Sequence, residues 1–145
     1  MAKAVFINLP VADVAASTAF YEAIGCIRDA RFSNDAASAM IWSDTISFML
    51  LGHAFYQGFT PKTIIDAKTT SGALFALPFD TREEVDAFAA RALAAGGHEA
   101  HGAEDLGFLY SRGIEDPDGH GLGPFWMDPT HAGGETDPTL AETSA

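Results

Sequence analysis

Glu115-Asp116-Pro117-Asp118-Gly119-His120, running on into Gly121-Leu122-Gly123-Pro124-Phe125-Trp126-Met127, is the stretch on which the fold turns. Pro117 presets φ, Asp118 is able to bond its own backbone, and Gly119 accepts a positive φ, so Asp-Pro-Asp-Gly predicts a tight turn. Chain then has to enter and leave it as strand. Upstream, Phe108-Leu109-Tyr110-Ser111-Arg112-Gly113-Ile114 alternates large and small residues; downstream, residues 121–127 are short and apolar. Such a hairpin is ordinary surface structure by itself, and its meaning comes from what precedes it.

Working outward, residues 98–101 supply another strand. Before them Thr81-Arg82-Glu83-Glu84 is a capping box, opening a helix whose stripe is Val85, Phe88, Ala89, Ala92 and Leu93 and which stops at Gly96-Gly97. Ala73-Leu74-Phe75-Ala76-Leu77-Pro78-Phe79 reads as the strand ahead of that helix. The same order stands earlier in the chain. Ala4-Val5-Phe6-Ile7-Asn8-Leu9 is a strand ended by Pro10; Asp13 stands as an N-cap; Ser17, Phe20, Tyr21 and Ile24 share a helix face; Gly25 closes the helix. Residues 26–32, 39–42 and 45–51 follow as three short strands, the last two joined by Ser43-Asp44 as an antiparallel hairpin. The helix starts, Asp13 and Thr81, are 68 residues apart. One strand-helix-three-strand unit is therefore written twice. The expectation is an α+β fold with a first βαβββ module over residues 1–51, a connector over 52–72, a second module over 73–129 and an acidic tail, loosely held, over 130–145.

At 145 residues and 48% hydrophobic, the chain suits one structural domain. It has no apolar run long enough to span a bilayer and opens on a strand pattern, so a soluble, cytoplasmic protein is expected. The single Cys26 excludes an internal disulfide and reads as a packing residue rather than a nucleophile. A net charge of −12 with eight scattered Lys and Arg disfavours nucleic acid and anionic partners generally.

The duplicated unit, with Phe20-Tyr21 before a helix-closing Gly25 and Asp116-Pro117-Asp118-Gly119 before the last strand, resembles the vicinal oxygen chelate superfamily. That superfamily includes glyoxalase I, the bleomycin-resistance proteins and the extradiol dioxygenases. The resemblance covers residues 3–128, and Gly119-His120 followed by Phe125-Trp126-Met127-Asp128-Pro129 is similar to a branch of small bacterial members. It implies modules that each curve four strands into half a cup, helices outside, a small-molecule ligand inside and, commonly, a homodimer.

The resemblance also implies four cup-facing positions that hold a divalent ion in metal-using members. Here they fall on Phe6, on about Met49, on Leu74 and on Gly123. None offers a useful lone pair to zinc, nickel, magnesium or iron. Metal-dependent isomerisation and ring cleavage both lose their Lewis acid with those donors, and the resemblance places the isomerase base at one of the same positions. No metal and no other cofactor is expected. His98 and His101, three apart on a strand, are expected on opposite faces; His53 lies in the connector, His120 in the turn and His131 in the tail. No Gly-x-Ser-x-Gly or phosphate-loop spacing occurs.

Strand alternation groups the remaining candidates. With Phe6 inward, Asn8 shares its face; Ser47, Met49 and Leu51 go together, as do Leu74, Ala76 and Pro78, and Gly121, Gly123, Phe125 and Met127. Tyr110 and Arg112 share a face, as do Met40 and Trp42, and alternation leaves open whether either pair lines the cup. Burying about 200 Å² of apolar ligand at roughly 25 cal/mol/Å² yields about 5 kcal/mol, against roughly 4 to 15 kcal/mol for association. Stacking on Phe6, Trp42 or Phe125 and polar bonds from Asn8, Tyr110 or Arg112 would make up the difference. The expected ligand-binding residues are thus Phe6, Asn8, Trp42, Met49, Leu74, Tyr110, Arg112, Gly123 and Phe125, with no catalytic residue assigned. Three functions remain open: a metal-independent small-molecule binder, a lyase, isomerase or dioxygenase with a divergent active site, and a dimeric interaction module.

Overall fold

Asp13 and Thr81 do what their sequence positions promise: the Asp13 carboxylate accepts from the Ala16 N–H at 3.1 Å, and the Thr81 hydroxyl accepts from the Glu84 N–H at 3.1 Å. In the computed structural model, which describes residues 2–131, these caps open α1 (Val14–Ala23) and α3 (Arg82–Ala94). Gly25 (φ +116°) and Gly96 (φ +103°) end the two helices in the same left-handed way. The chain divides into two units between Asp66 and Ala67, and each repeats the order strand, helix, three strands. The α+β, doubled organisation expected from the sequence is the one observed.

In the first unit β1 (Val5–Val11) pairs in parallel with β4 (Ile46–Gly52), and β3 (Ala37–Ser43) lies antiparallel between β4 and the short β2 (Ile27–Asp29). A turn of 3₁₀ helix, Ala30–Phe32, replaces the second half of the expected second strand. The Asp29 carboxylate caps that turn through the Arg31 N–H at 3.1 Å, and the Arg31 guanidinium beside it holds the carboxyl below its usual range. Pro10 does not end β1. It sits within an edge strand, opposite Leu51, where a missing N–H costs no ladder bond. One face of this sheet packs on α1: Phe20, Tyr21 and Ile24 bury against Phe48, Leu50 and Met40, with the Tyr21 and Phe48 rings 5.2 Å apart. After β4 comes a short helix, α2 (His53–Gln57), within the expected connector.

The second unit repeats the plan. β5 (Leu74–Pro78) runs parallel to β8 (Gly121–Met127), which pairs antiparallel with β7 (Leu109–Glu115), and β6 (His98–Asp105) forms the far edge. Val85, Phe88, Ala89 and Ala92 of α3 are buried, whereas Leu93, expected in the same stripe, is exposed at the margin. The β7–β8 turn is held chiefly by Asp116. Its buried carboxylate accepts from the N–H groups of Asp118 and His120, both at 2.9 Å, as does the Asp116 carbonyl from the Gly119 N–H. Gly119 takes φ +97° there, packed so closely on the Ala67–Lys68 backbone that a Cβ would stand 2.7 Å from it. His120 is buried at this turn. The expected tail, 130–145, lies almost wholly outside the described residues.

Candidate functional site

Once pairing register is known, the faces left open by alternation are determined. Tyr110 lies across from Trp126 and donates to Asp86 Oδ1 of α3 at 2.6 Å, and Arg112 donates to the same oxygen at 3.2 Å and to Glu99. Both therefore point to the helix side of the sheet, and the expectation that they orient a ligand on the opposite face is corrected. Their partners explain the placement: a carboxylate on α3 draws in a phenol and a guanidinium that would otherwise need solvent. The bond to Asp86 and burial together hold the Tyr110 phenol above its usual titration range. Arg82 completes the cluster. It donates to Asp105 at 2.6 Å and to the Gly107 carbonyl at 2.7 Å, with its guanidinium carbon 5.3 Å and 5.0 Å from the centres of the Tyr110 and Trp126 rings.

Trp42 is corrected in the same sense. Met40 pairs with Phe48 on the helix side, and the Trp42 ring lies 3.9 Å from where a Gly25 side chain would begin, at the end of α1. Phe6 and Asn8 do share the opposite face, in register with Ser47 and Met49 of β4, and Phe6 is 67% exposed there. That face of the first unit also carries Ile41 and the 70% exposed Ile27 in the same cross-strand row.

Leu74, Gly123 and Phe125 fall on the corresponding face of the second unit, because β5 and β8 pair Leu74 with Gly121, Ala76 with Gly123 and Pro78 with Phe125. Here a cleft of about 320 Å³ opens, lined by Leu74, Ala76, His101, Gly113, Glu115, Gly121 and Gly123 among others. Side chains from neighbouring strands lie over two of the glycines in its base. A Cβ at Gly121 would stand 2.6 Å from the Leu74 side chain, and one at Gly113 would run into the His101 ring, whose Cγ would be 2.9 Å away. The unbroken β7–β8 register puts Gly113 across from Gly123, so two neighbouring strands lack side chains at the same level.

His101 is the residue that sequence reasoning missed. Its ladder partner is Gly113, Glu99 pairs with Ile114 and His98 pairs with Glu115, with a register shift between Glu99 and His101. The extra residue, Ala100, is a β-bulge, and it resets the alternation so that His98 and His101 occupy one face instead of two. A second shift, between His101 and Glu104, keeps Glu104 on that face opposite Ser111. The only sequence signal was weak: a small residue, Ala100, and a glycine, Gly102, on either side of His101.

The electrostatics of the cleft are simple. His101 Nδ1 lies 3.0 Å from the Gly102 carbonyl oxygen. A carbonyl only accepts, so that nitrogen carries the proton and Nε2 presents its lone pair in the neutral ring. The Glu115 carboxylate is half-buried and makes no hydrogen bond or ion pair within the described residues. Ser111, on the same face of β7, has a buried hydroxyl without a hydrogen-bond partner among the described residues. Among the described residues no three His, Cys, Asp or Glu side chains are grouped so as to hold a metal ion. A second cleft, of about 320 Å³, lies in the first unit beside α1, with Thr18, Glu22, Arg28 and Asp35 in its lining.

No helix among the described residues is long and apolar enough to cross a membrane. The fold is shared widely among solved structures. Hypothetical protein SA1046 from S. aureus aligns with a TM-score of 0.74 at 21% identity over 87% of this chain and 94% of its own. A glyoxalase/bleomycin resistance protein/dioxygenase family enzyme from Burkholderia phytofirmans PsJN aligns with a TM-score of 0.72 at 19% identity, over 87% and 99% of the two chains. A lactoylglutathione lyase from Agrobacterium tumefaciens aligns with a TM-score of 0.63 at 18% identity, over 87% and 94%. These likenesses concern the fold alone. No curated protein matches the sequence at a significant level. The family profile does match, over residues 3–123, and the chain belongs to the Glyoxalase/Bleomycin resistance protein/Dioxygenase superfamily.

Proposed function

We propose that this chain binds a small molecule without a metal ion and holds it in the cleft of its second unit. One observation carries the proposal: Phe6, Met49, Leu74 and Gly123 stand where the family resemblance puts electron-pair donors. Two of the four belong to the cleft itself, where Leu74 leans over Gly121 and Gly123 has no side chain to offer. A phenyl ring, a thioether of low donor strength, an isobutyl group and a hydrogen do not make a site for a hard or borderline cation. Leu74 and Gly123 suit an apolar guest, and a volume of about 320 Å³ sits at the small end of ligand pockets. His101 and Glu115 supply the few polar points that fix orientation.

The single buried Cys26 and the net charge of −12 fit a reducing, cytoplasmic setting and no nucleic-acid partner, and we extend the proposal to a homodimer in keeping with the family. A second reading, a lyase, isomerase or dioxygenase with a divergent site, gains support from His101 and Glu115. An imidazole nitrogen and a carboxylate lining one cleft are an acid-base pair able to move a proton without a Lewis acid.

The test is a thermal-shift screen of the full chain against a small-molecule library, run in parallel on Gly123→Leu, together with metal analysis of protein purified without chelator. Compounds that stabilise the native chain but not the filled variant are expected, with no stoichiometric divalent ion. One tightly held ion per chain, or stabilisers that act equally on Gly123→Leu, would overturn the proposal.

A further inference from the structure

We infer that the second-unit cleft selects flat ligands that present N–H or O–H donors, neutral or cationic, over anionic ligands of the same shape, and that His101 and Glu115 make the selection. The inference rests on the proposal that this cleft takes a small molecule.

Flatness follows from the base of the cleft. The His101 ring covers Gly113 and the Leu74 side chain covers Gly121, so the surface left to a guest is Gly123 and its neighbour on the adjacent strand, Ala76, sheet backbone carrying one methyl group. Adjacent strands lie about 4.8 Å apart, so Gly123 and Ala76 together make a strip about as wide as an aromatic ring. The imidazole of His101 leaning over Gly113 bounds the strip on one side, and Leu74 leaning over Gly121 bounds it on the other. A branched or globular guest would collide with both.

Polarity follows from what the two titratable side chains offer. With Nδ1 committed to the Gly102 carbonyl, the neutral His101 ring has only the Nε2 lone pair for a ligand. Glu115 when ionised accepts and never donates, and its half-buried carboxylate makes no bond within the described residues. With the imidazole neutral, both side chains therefore accept. A ligand carboxylate or phosphate facing them would set acceptor against acceptor and add like charge to a carboxylate already short of solvent. An amidine, an amide or an amino-substituted ring would give each acceptor a hydrogen, and a cation would add a charge-assisted bond to Glu115. The chain's net charge of −12 acts in the same direction at longer range.

Four probes with one ring and different substituents test this: benzamidine, benzamide, benzonitrile and benzoate, titrated into the isotope-labelled full chain and followed by the backbone amides of Gly113, Gly121 and Gly123. Benzamidine is expected to shift these amides with an affinity about tenfold or more above that of benzoate, as one charge-assisted hydrogen bond allows, with benzamide between them. Glu115→Gln should reduce the benzamidine-to-benzoate ratio to near unity, and His101→Phe, which keeps a ring over Gly113 without the lone pair, should weaken benzamide most. Equal affinities, or a preference for benzoate, overturn the selectivity. If benzonitrile shifts the glycines and benzamidine has no advantage, the cleft takes a guest but the acceptor pair does not choose it. If none of the four probes moves those amides, the cleft reading fails together with the inference.

Discussion

The His101 imidazole lies on Gly113: the ring occupies the space a side chain at residue 113 would need, and its Cγ comes within 2.9 Å of the position a Cβ would take. Gly113→Ala must therefore move the ring. Because the obstructing group is a single exposed side chain, the stability cost should stay below about 1 kcal/mol, while the imidazole loses its place over the cleft. Side-chain NMR of His101 and the melting temperature check this together; an unmoved ring in a well-folded variant contradicts the packing described.

Gly119 is constrained from two directions. Its φ of +97° disfavours any side chain, and the atoms a Cβ would meet at 2.7 Å are the backbone of Ala67 and Lys68, which cannot swing away. Gly119→Ala is expected to destabilise the second unit by about 2 kcal/mol or more, measured by denaturant unfolding. A loss under about 0.5 kcal/mol would mean that the turn repacks freely.

Tyr110→Phe separates the two faces of β7. The variant loses the 2.6 Å bond to Asp86 on the helix side, which should lower stability by about 1 kcal/mol and leave the cleft untouched. Affinity for any cleft ligand should not change. A loss of affinity with intact stability would return Tyr110 to the binding face.

Alkaline titration should show two raised groups. Burial pushes the Cys26 thiol from 9.0 up to about 12, and the bond to Asp86 raises the Tyr110 phenol. A group whose folded value is raised contributes stability that is complete below its unfolded value and disappears as pH climbs through the folded one. For Cys26 that window runs from about 9 to about 12. Unfolding free energy should fall across it, and Cys26→Ala should flatten the fall. The native thiol should also react slowly with disulfide reagents, since the thiolate is the attacking form.

Sequence alone determined the duplicated βαβββ order, because caps, helix stripes and turn residues act over three to five neighbours and need no tertiary information. Asp13, Thr81, Gly25 and the Asp-Pro-Asp-Gly turn all act locally. The absence of donors at Phe6, Met49, Leu74 and Gly123 was equally legible, since a residue type cannot be changed by folding. What only the tertiary structure decided was which way strands face. A period of two tells which residues share a face and never which face it is, so Tyr110, Arg112 and Trp42 waited on α3, Asp86 and the end of α1 to be placed. Bulges go further and break the period itself. One extra residue at Ala100 brought His98 and His101 to the same side, and the small residues Ala100 and Gly102 announce such an insertion only weakly, because its cause is the pairing of β6 with β7.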